Sequence, residues 1–191
     1  MDGLKFDAGK PNWSLIPMEQ LMKIIEVPQK IISTNNENFF YIHNDTSLYN
    51  LVLKHFTCWL TGDINEAESN NIKIARLPLA AFAMFFMLRG NPYNAVEILA
   101  DKSRYRWDLF NIDDIQKVAE VYTYGAKLYT AYNWQKVEKE RYVSAFFRHF
   151  KTARSKSRFD DESGLLHMYH AIWNVIALMW FDDQKIIKKA K

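Results

Sequence analysis

The chain has 191 residues, 49% of them hydrophobic, and a formal net charge of +3. That length and composition suffice to bury one or two modest cores and exclude a fibrous or disordered class. Much of the small positive excess lies in the tail Lys185-Ile186-Ile187-Lys188-Lys189-Ala190-Lys191, a lysine-rich helix end, so charge gives no reason to expect DNA or RNA as a partner.

Met1-Asp2-Gly3-Leu4-Lys5 lacks an apolar signal core, and the longest apolar run, Leu77 to Leu88, falls short of the roughly 18 to 20 residues that span a bilayer. Cys58 is the sole cysteine, so no disulfide can form within the chain. The expectation is a cytoplasmic protein with no membrane partner, residing in the host cytoplasm if phage-encoded.

Apolar residues recur mostly at helical spacing. Asn38-Phe39-Phe40-Tyr41-Ile42 is the best strand-like stretch. Leu48, Leu51, Val52 and His55-Phe56 make one stripe, preceded by the capping candidates Asp45-Thr46-Ser47. Others run through Ile115, Val118, Ala119 and Tyr122, through Val143, Phe146, Phe147 and Phe150, and through Leu165, Met168, Ile172, Val175, Ile176 and Met179. The pattern predicts an all-α helical bundle.

The layout repeats at a constant offset. Lys54-His55-Phe56 leads to Glu66-Ala67-Glu68-Ser69, and Arg148-His149-Phe150 leads to Asp160-Asp161-Glu162-Ser163-Gly164, each feature 94 residues from its counterpart. The expected organisation is an N-terminal nucleotide-binding segment over 1–17 and a degenerate first helical repeat over 18–90. A linker over 91–111 and a second repeat over 112–191 follow. An internal pair of this kind can reproduce the interface of an oligomeric ancestor, and assembly into a homo-oligomer is compatible with it.

The chemistry-bearing residues cluster in the second repeat. Asp160 and Glu162 are carboxylates suited to Mg²⁺ or Mn²⁺, or equally a solvated acidic helix start. His167, His170 and Asn174 stand at i, i+3 and i+7 on one helical face and can meet a base or phosphate. Arg148 and Lys127 are cations for phosphate oxygens, although Lys127 reads as well as ordinary helix surface. Trp134 reads either as a base-stacking ring or as core. Lys5 and Lys10 flank Asp7 and Gly9 in a polar segment able to fold over a site as a flap. Gly9-Lys10 is no P-loop, since the upstream glycine and the following Ser or Thr are missing.

Taken in order, Lys5-Phe6-Asp7-Ala8-Gly9-Lys10-Pro11, Leu15-Ile16-Pro17, Tyr124-Gly125-Ala126-Lys127-Leu128-Tyr129, Asn133-Trp134, Arg148-His149, Asp160 to Gly164, His167 and His170 resemble the phage-type dATP/dGTP diphosphohydrolase family. That family is similar to the MazG-like all-α NTP pyrophosphatases. The resemblance covers residues 4 to 17 and about 112 to 181, with the first repeat lying between. It implies a nucleotide partner, cleavage of a deoxynucleoside triphosphate to monophosphate and pyrophosphate, and a divalent metal. Asp160, Glu162 and His149 would be catalytic, and Lys5, Lys10, Lys127, Asn133, Trp134, Arg148, His167, His170 and Asn174 would hold substrate.

One departure stands out: the family's Gly-Glu pair before the aspartate is Lys156-Ser157 here, whereas the first repeat has Gly62-Asp63. The first repeat keeps an acidic trio, Asp63, Glu66 and Glu68, but has Lys73, Arg76 and Ala80 in place of His167, His170 and Asn174. The enzyme reading therefore requires the halves to pool metal ligands. The alternative is a catalytically degenerate protein that sequesters a nucleotide or a nucleotide-derived immune signal as a phage sponge. A purely structural scaffold leaves the ordered motifs unexplained.

Overall fold

A computed structural model describes residues 10–33, 45–67, 73–89 and 103–189. The fold is all-α. Helices α1 (Met18–Ile25), α2 (Val27–Ser33), α3 (Asp45–Leu60) and α4 (Arg76–Arg89) form the first half, and α5 (Ile112–Leu128), α6 (Lys139–Thr152) and α7 (His167–Lys189) the second. Asn65–Ala67 and Lys73–Ala75 pair as a short antiparallel ladder between α3 and α4, and α4 starts directly after it at Arg76. The strand-like stretch at 38–42 lies outside the described residues, as do Lys5, Asp7, Gly9 and Glu68.

The core follows from where apolar side chains fall on each helix. In α4 every residue from Arg76 to Phe86 is buried, the signature of a helix enclosed on all sides. Helix α7 is nearly as enclosed from Met168 to Met179, and these two helices pack against each other at the centre. Helix α3 lies on α4 and α6 on α7, while α1 and α5 occupy matching flanks. Between α3 and α6 the rings of Phe56 and Phe146 stack with centroids 3.7 Å apart, and Tyr49 stacks on Phe150 at 4.7 Å. Asp182 near the end of α7 accepts from Trp59 Nε1 at 2.6 Å and from Lys139 Nζ at 2.7 Å, tying the halves together again.

Several element starts keep the 94-residue spacing, although the two central helices start 91 residues apart, at 76 and 167. Two 3₁₀ turns begin at Trp13 and Trp107, α1 and α5 begin at 18 and 112, and α3 and α6 begin at 45 and 139. The segment ahead of each half docks on the other half. The Asn12 amide donates to Thr123 Oγ1 on α5 at 2.8 Å, while the Arg106 amide donates to the Ile25 carbonyl on α1 at 3.4 Å and Arg104 pairs with Glu26 at 2.7 Å. From residue 103 onward the expected linker is thus a packed segment and not a spacer, with Arg106 only 2% exposed and forked onto Asp108.

Because both halves share one core, Phe56→Ala should cost about 3–5 kcal/mol, the usual cost of deleting a buried phenyl ring. Urea denaturation followed by far-UV circular dichroism should show a single transition moved to lower denaturant. Two separated transitions in the parent protein would contradict a shared core.

Candidate functional site

A loop between α6 and α7 builds the site. Phe159 bridges Leu166 in antiparallel fashion, the Asp160 amide donates to the Leu165 carbonyl and the Gly164 amide returns to the Asp160 carbonyl, both at 2.8 Å. Gly164 has φ of +69°, which a side chain would strain, so a glycine closes the turn. Asp160 is thereby set on a rigid hairpin facing α6 and the first turn of α7, which begins at His167 and not at the acidic run.

Around Asp160 three imidazoles converge. His149 Nδ1 lies 2.8 Å from His167 Nδ1, and the His149 and His170 rings stack at 4.7 Å with 13° between their planes. Asp160 Oδ1 is 3.9 Å from His167 Nδ1. Its other oxygen, Oδ2, accepts from the Ser163 amide at 3.0 Å and the Ser163 hydroxyl at 2.9 Å. Ser163 Oγ also lies 2.8 Å from His170 Nε2. Since the hydroxyl proton is given to Asp160, His170 must present Nε2–H to Ser163.

These environments set the protonation states. Burial, reinforced by the neighbouring His170, Arg148 and His167, pushes His149 down to about 4, against a pull upward from Asp160. His170 is lowered, chiefly by burial. Burial alone would raise Asp160, but hydrogen bonds from Ser163 together with the histidines hold it below the ordinary carboxylate value. At neutral pH the cluster is therefore neutral His149 and His170 beside an ionised Asp160.

One nitrogen or oxygen from each of His149, Asp160 and His167 lies within 4.8 Å of the others, a spacing that can hold a cation. Two imidazoles and a carboxylate are not the oxygen-only shell that Mg²⁺ favours. Glu162 is exposed and lies outside this trio.

The cluster opens into a cleft of about 740 Å³ whose walls come from α5, α6, α7 and the segment 128–137. Arg148, His149, Asp160, Glu162, His170, Asn133, Trp134 and Asn174 all line it, whereas Lys127 is exposed elsewhere on α5. Arg141 joins Arg148 on the same α6 face two turns away. Tyr122, placed by the sequence on an apolar stripe, and Trp173, which the sequence did not single out, line the cleft too. The Tyr122 ring meets those of Trp134 and Trp173 edge-on at 5.8 and 5.6 Å. Tyr122 OH, Trp134 Nε1, Trp173 Nε1 and Asn174 Oδ1 are buried without a hydrogen-bond partner. Asn174 Nδ2, by contrast, donates to the His170 carbonyl at 2.7 Å.

Ser163 was visible in the acidic motif without an assigned part, and its spacing of seven from His170 is the signal that links them. Of the N-terminal segment, Asn12 docks on α5, the Ser14 carbonyl accepts from Tyr132 OH at 3.2 Å and Leu15 reaches the cleft wall. Lys10 is exposed.

None of the described residues of 45–89 lines the cleft. Asp63 pairs instead with Arg76 at 2.5 Å, and Arg76 Nη1 lies 3.1 Å from His55 Nδ1, so this carboxylate is engaged within its own half. The side chains of Glu66 and Glu68 lie outside the described residues. Lys156 and Ser157, at the family's Gly-Glu position, are both exposed.

Residues 98–191 match the family model described as dATP/dGTP diphosphohydrolase, N-terminal. The second half of the chain is similar to that family. A dATP/dGTP diphosphohydrolase of Salmonella phage PMBT28 is 34% identical over 65 residues, which is 34% of this chain and 22% of the relative. No solved structure matches. The family segment begins near the docked stretch before α5 and includes the whole His–Asp cluster; the first half lies outside it. Among the described residues no helix is long and apolar enough to cross a membrane.

The depressed value of His149 has a consequence for stability. In chelator-treated protein, unfolded His149 would take a proton near its ordinary value of 6.5 while folded His149 resists until about 4. Its contribution is fully present above about pH 6.5 and is lost as pH falls towards 4. Thermal melts should show Tm dropping across that window, and His149→Gln should flatten the drop. An unchanged slope in the variant would remove His149 as the source.

Proposed function

We propose that the cleft binds a deoxynucleoside triphosphate such as dATP or dGTP and hydrolyses it to the monophosphate and pyrophosphate. The observation that carries this reading is the composition of one cleft. It joins two arginines and a His–Asp cluster to aromatic rings that bear unpartnered buried polar atoms. Polyphosphate requires the cations, and a base offers both a stacking face and an edge of donors and acceptors. Each of these atoms is sealed from solvent, so a base in the cleft would recover the cost of an unpartnered group only where the side chain bearing it turns to expose it. The match of residues 98–191 to that family model supports the same substrate class.

In this reading Arg141 and Arg148 hold non-bridging phosphate oxygens and direct the triphosphate along α6. Water adds to the α-phosphorus, the bond to the β-phosphate oxygen breaks, and that oxygen leaves on pyrophosphate. Glu162, exposed at the lip of the cleft, accepts the proton of the attacking water. His149 is too weak a base for this step and serves better as a ligand, as does Asp160, whose free Oδ1 faces it. A divalent cation bound there would supply neutralisation of phosphate charge and a more acidic water. Ser157 in place of the family glutamate favours slow turnover, and sequestration of intact nucleotide is the second reading that this substitution motivates. The recurring element boundaries favour a duplication in which each half keeps the docking segment of a former partner.

Pyrophosphate release from dATP and dGTP with Mg²⁺ or Mn²⁺, with calorimetry on the same nucleotides, tests the enzyme. Glu162→Gln should lower kcat by about 10²- to 10⁴-fold with the fold unchanged, the usual range for losing a general base. No release, combined with tight retention of intact nucleotide, would replace the hydrolase by the sponge.

The base side has its own test. Trp134→Phe removes a donor that has no partner in the free protein, so stability should stay within about 1 kcal/mol of the parent. Nucleotide affinity should fall roughly 5- to 10-fold, the worth of one hydrogen bond. Unchanged affinity would show that the base lies elsewhere.

A further inference from the structure

We propose that His149, Asp160 and His167 form a binding site for a first-row transition-metal ion, Mn²⁺, Co²⁺ or Zn²⁺, in preference to Mg²⁺. The inference stands on the cluster itself and does not depend on the nucleotide reading.

Donor chemistry is the first argument. Imidazole nitrogen suits Co²⁺ and Zn²⁺ far better than Mg²⁺, which gives up water reluctantly and prefers oxygen, and Mn²⁺, the weakest binder of the first-row series, lies between. Two imidazole nitrogens bound to one ion at about 2.1 Å lie about 3.0 Å apart at an octahedral angle and about 3.4 Å apart at a tetrahedral one. The 2.8 Å hydrogen-bond contact between His149 Nδ1 and His167 Nδ1 needs to open by only a few tenths of an ångström to reach that range. Asp160 is supported as metal-binding carboxylates usually are, with Oδ2 tied to the Ser163 amide and hydroxyl and Oδ1 left facing the imidazoles. Ser163 is in turn oriented by His170.

The other half of the chain supplies the second argument. His55 and Arg76 stand 94 residues before His149 and His170, on the corresponding helices α3 and α4. There the Arg76 guanidinium lies against His55 Nδ1 at 3.1 Å and against the Asp63 carboxylate, so the imidazole and the carboxylate share a cation that belongs to the chain. In the second half position 170 carries a histidine, and imidazoles and carboxylate converge without a built-in guanidinium. The carboxylates are not counterparts, since Asp63 corresponds to Ser157 and Asp160 to Glu66, but one half sets a guanidinium between imidazole and carboxylate and the other does not.

Chelator-treated full-length protein is titrated with Co²⁺, Zn²⁺, Mn²⁺ and Mg²⁺, without nucleotide. One equivalent of Co²⁺ should bind and develop ligand-field absorption bands of nitrogen coordination, and Zn²⁺ should displace it. Mg²⁺ in large excess should not. His149→Gln, Asp160→Asn and His167→Gln should each weaken Co²⁺ binding by more than about 100-fold, beyond the range expected for a group that only orients a ligand. Asp63→Asn should leave the stoichiometry at one. Absence of a Co²⁺ spectrum in the parent protein, retention of binding in all three ligand variants, or displacement of Co²⁺ by Mg²⁺ would each overturn the proposal. Metal binding without nucleotide turnover would leave it intact and remove only the hydrolase reading.

Discussion

The packing of α4 against α7 is the constraint on which the remaining structure depends. Both helices are buried almost all round over about three turns, so each polar residue placed there must find a partner or face a cavity. Helix α4 carries Arg76, which is matched by Asp63 and His55. Helix α7 carries His170 and Asn174, and around them the interior opens into the cleft. The site exists because one of two similar central helices was given polar residues that its own half does not fully satisfy.

That asymmetry organises the electrostatics. In the first half the salt bridge closes on itself and leaves no part for an outside ligand. In the second, burial keeps His149 and His170 neutral while Ser163 keeps Asp160 ionised, a combination of lone pairs and one negative charge that attracts a cation. Arg141 and Arg148 on the neighbouring face of α6 then attract anions into the same cleft. Cation and anion sites side by side are what a polyphosphate with a counter-ion requires.

The docked segments show how two halves become one body. Asn12 reaches α5 and Arg106 reaches α1, so neither half keeps its own leading segment. Leu15, brought over in this way, contributes to the wall of a cleft otherwise made by the second half. Residues 12 to 15 thus reach the second half although residues 18–90 lie between them in sequence.

Helix class and order were legible in the residues alone because apolar periodicity is a local property of the chain. So was the grouping of His149, Asp160, His167 and His170, since helical spacing puts the α7 histidines on one face and the acidic loop next to them. Other features depend on distances between side chains remote in sequence, which no periodicity encodes. Asp63 and Glu162 looked equivalent as metal carboxylates, yet Arg76 claims one and the other sits at the lip of the cleft. Tyr122 read as one member of an apolar stripe and Trp173 drew no reading, while the missing partners of their polar atoms appear only once every neighbour is in place. The choice between an oxygen-only site and a mixed imidazole and carboxylate site likewise belongs to the tertiary structure. It rests on two nitrogens, eighteen residues apart, meeting at 2.8 Å.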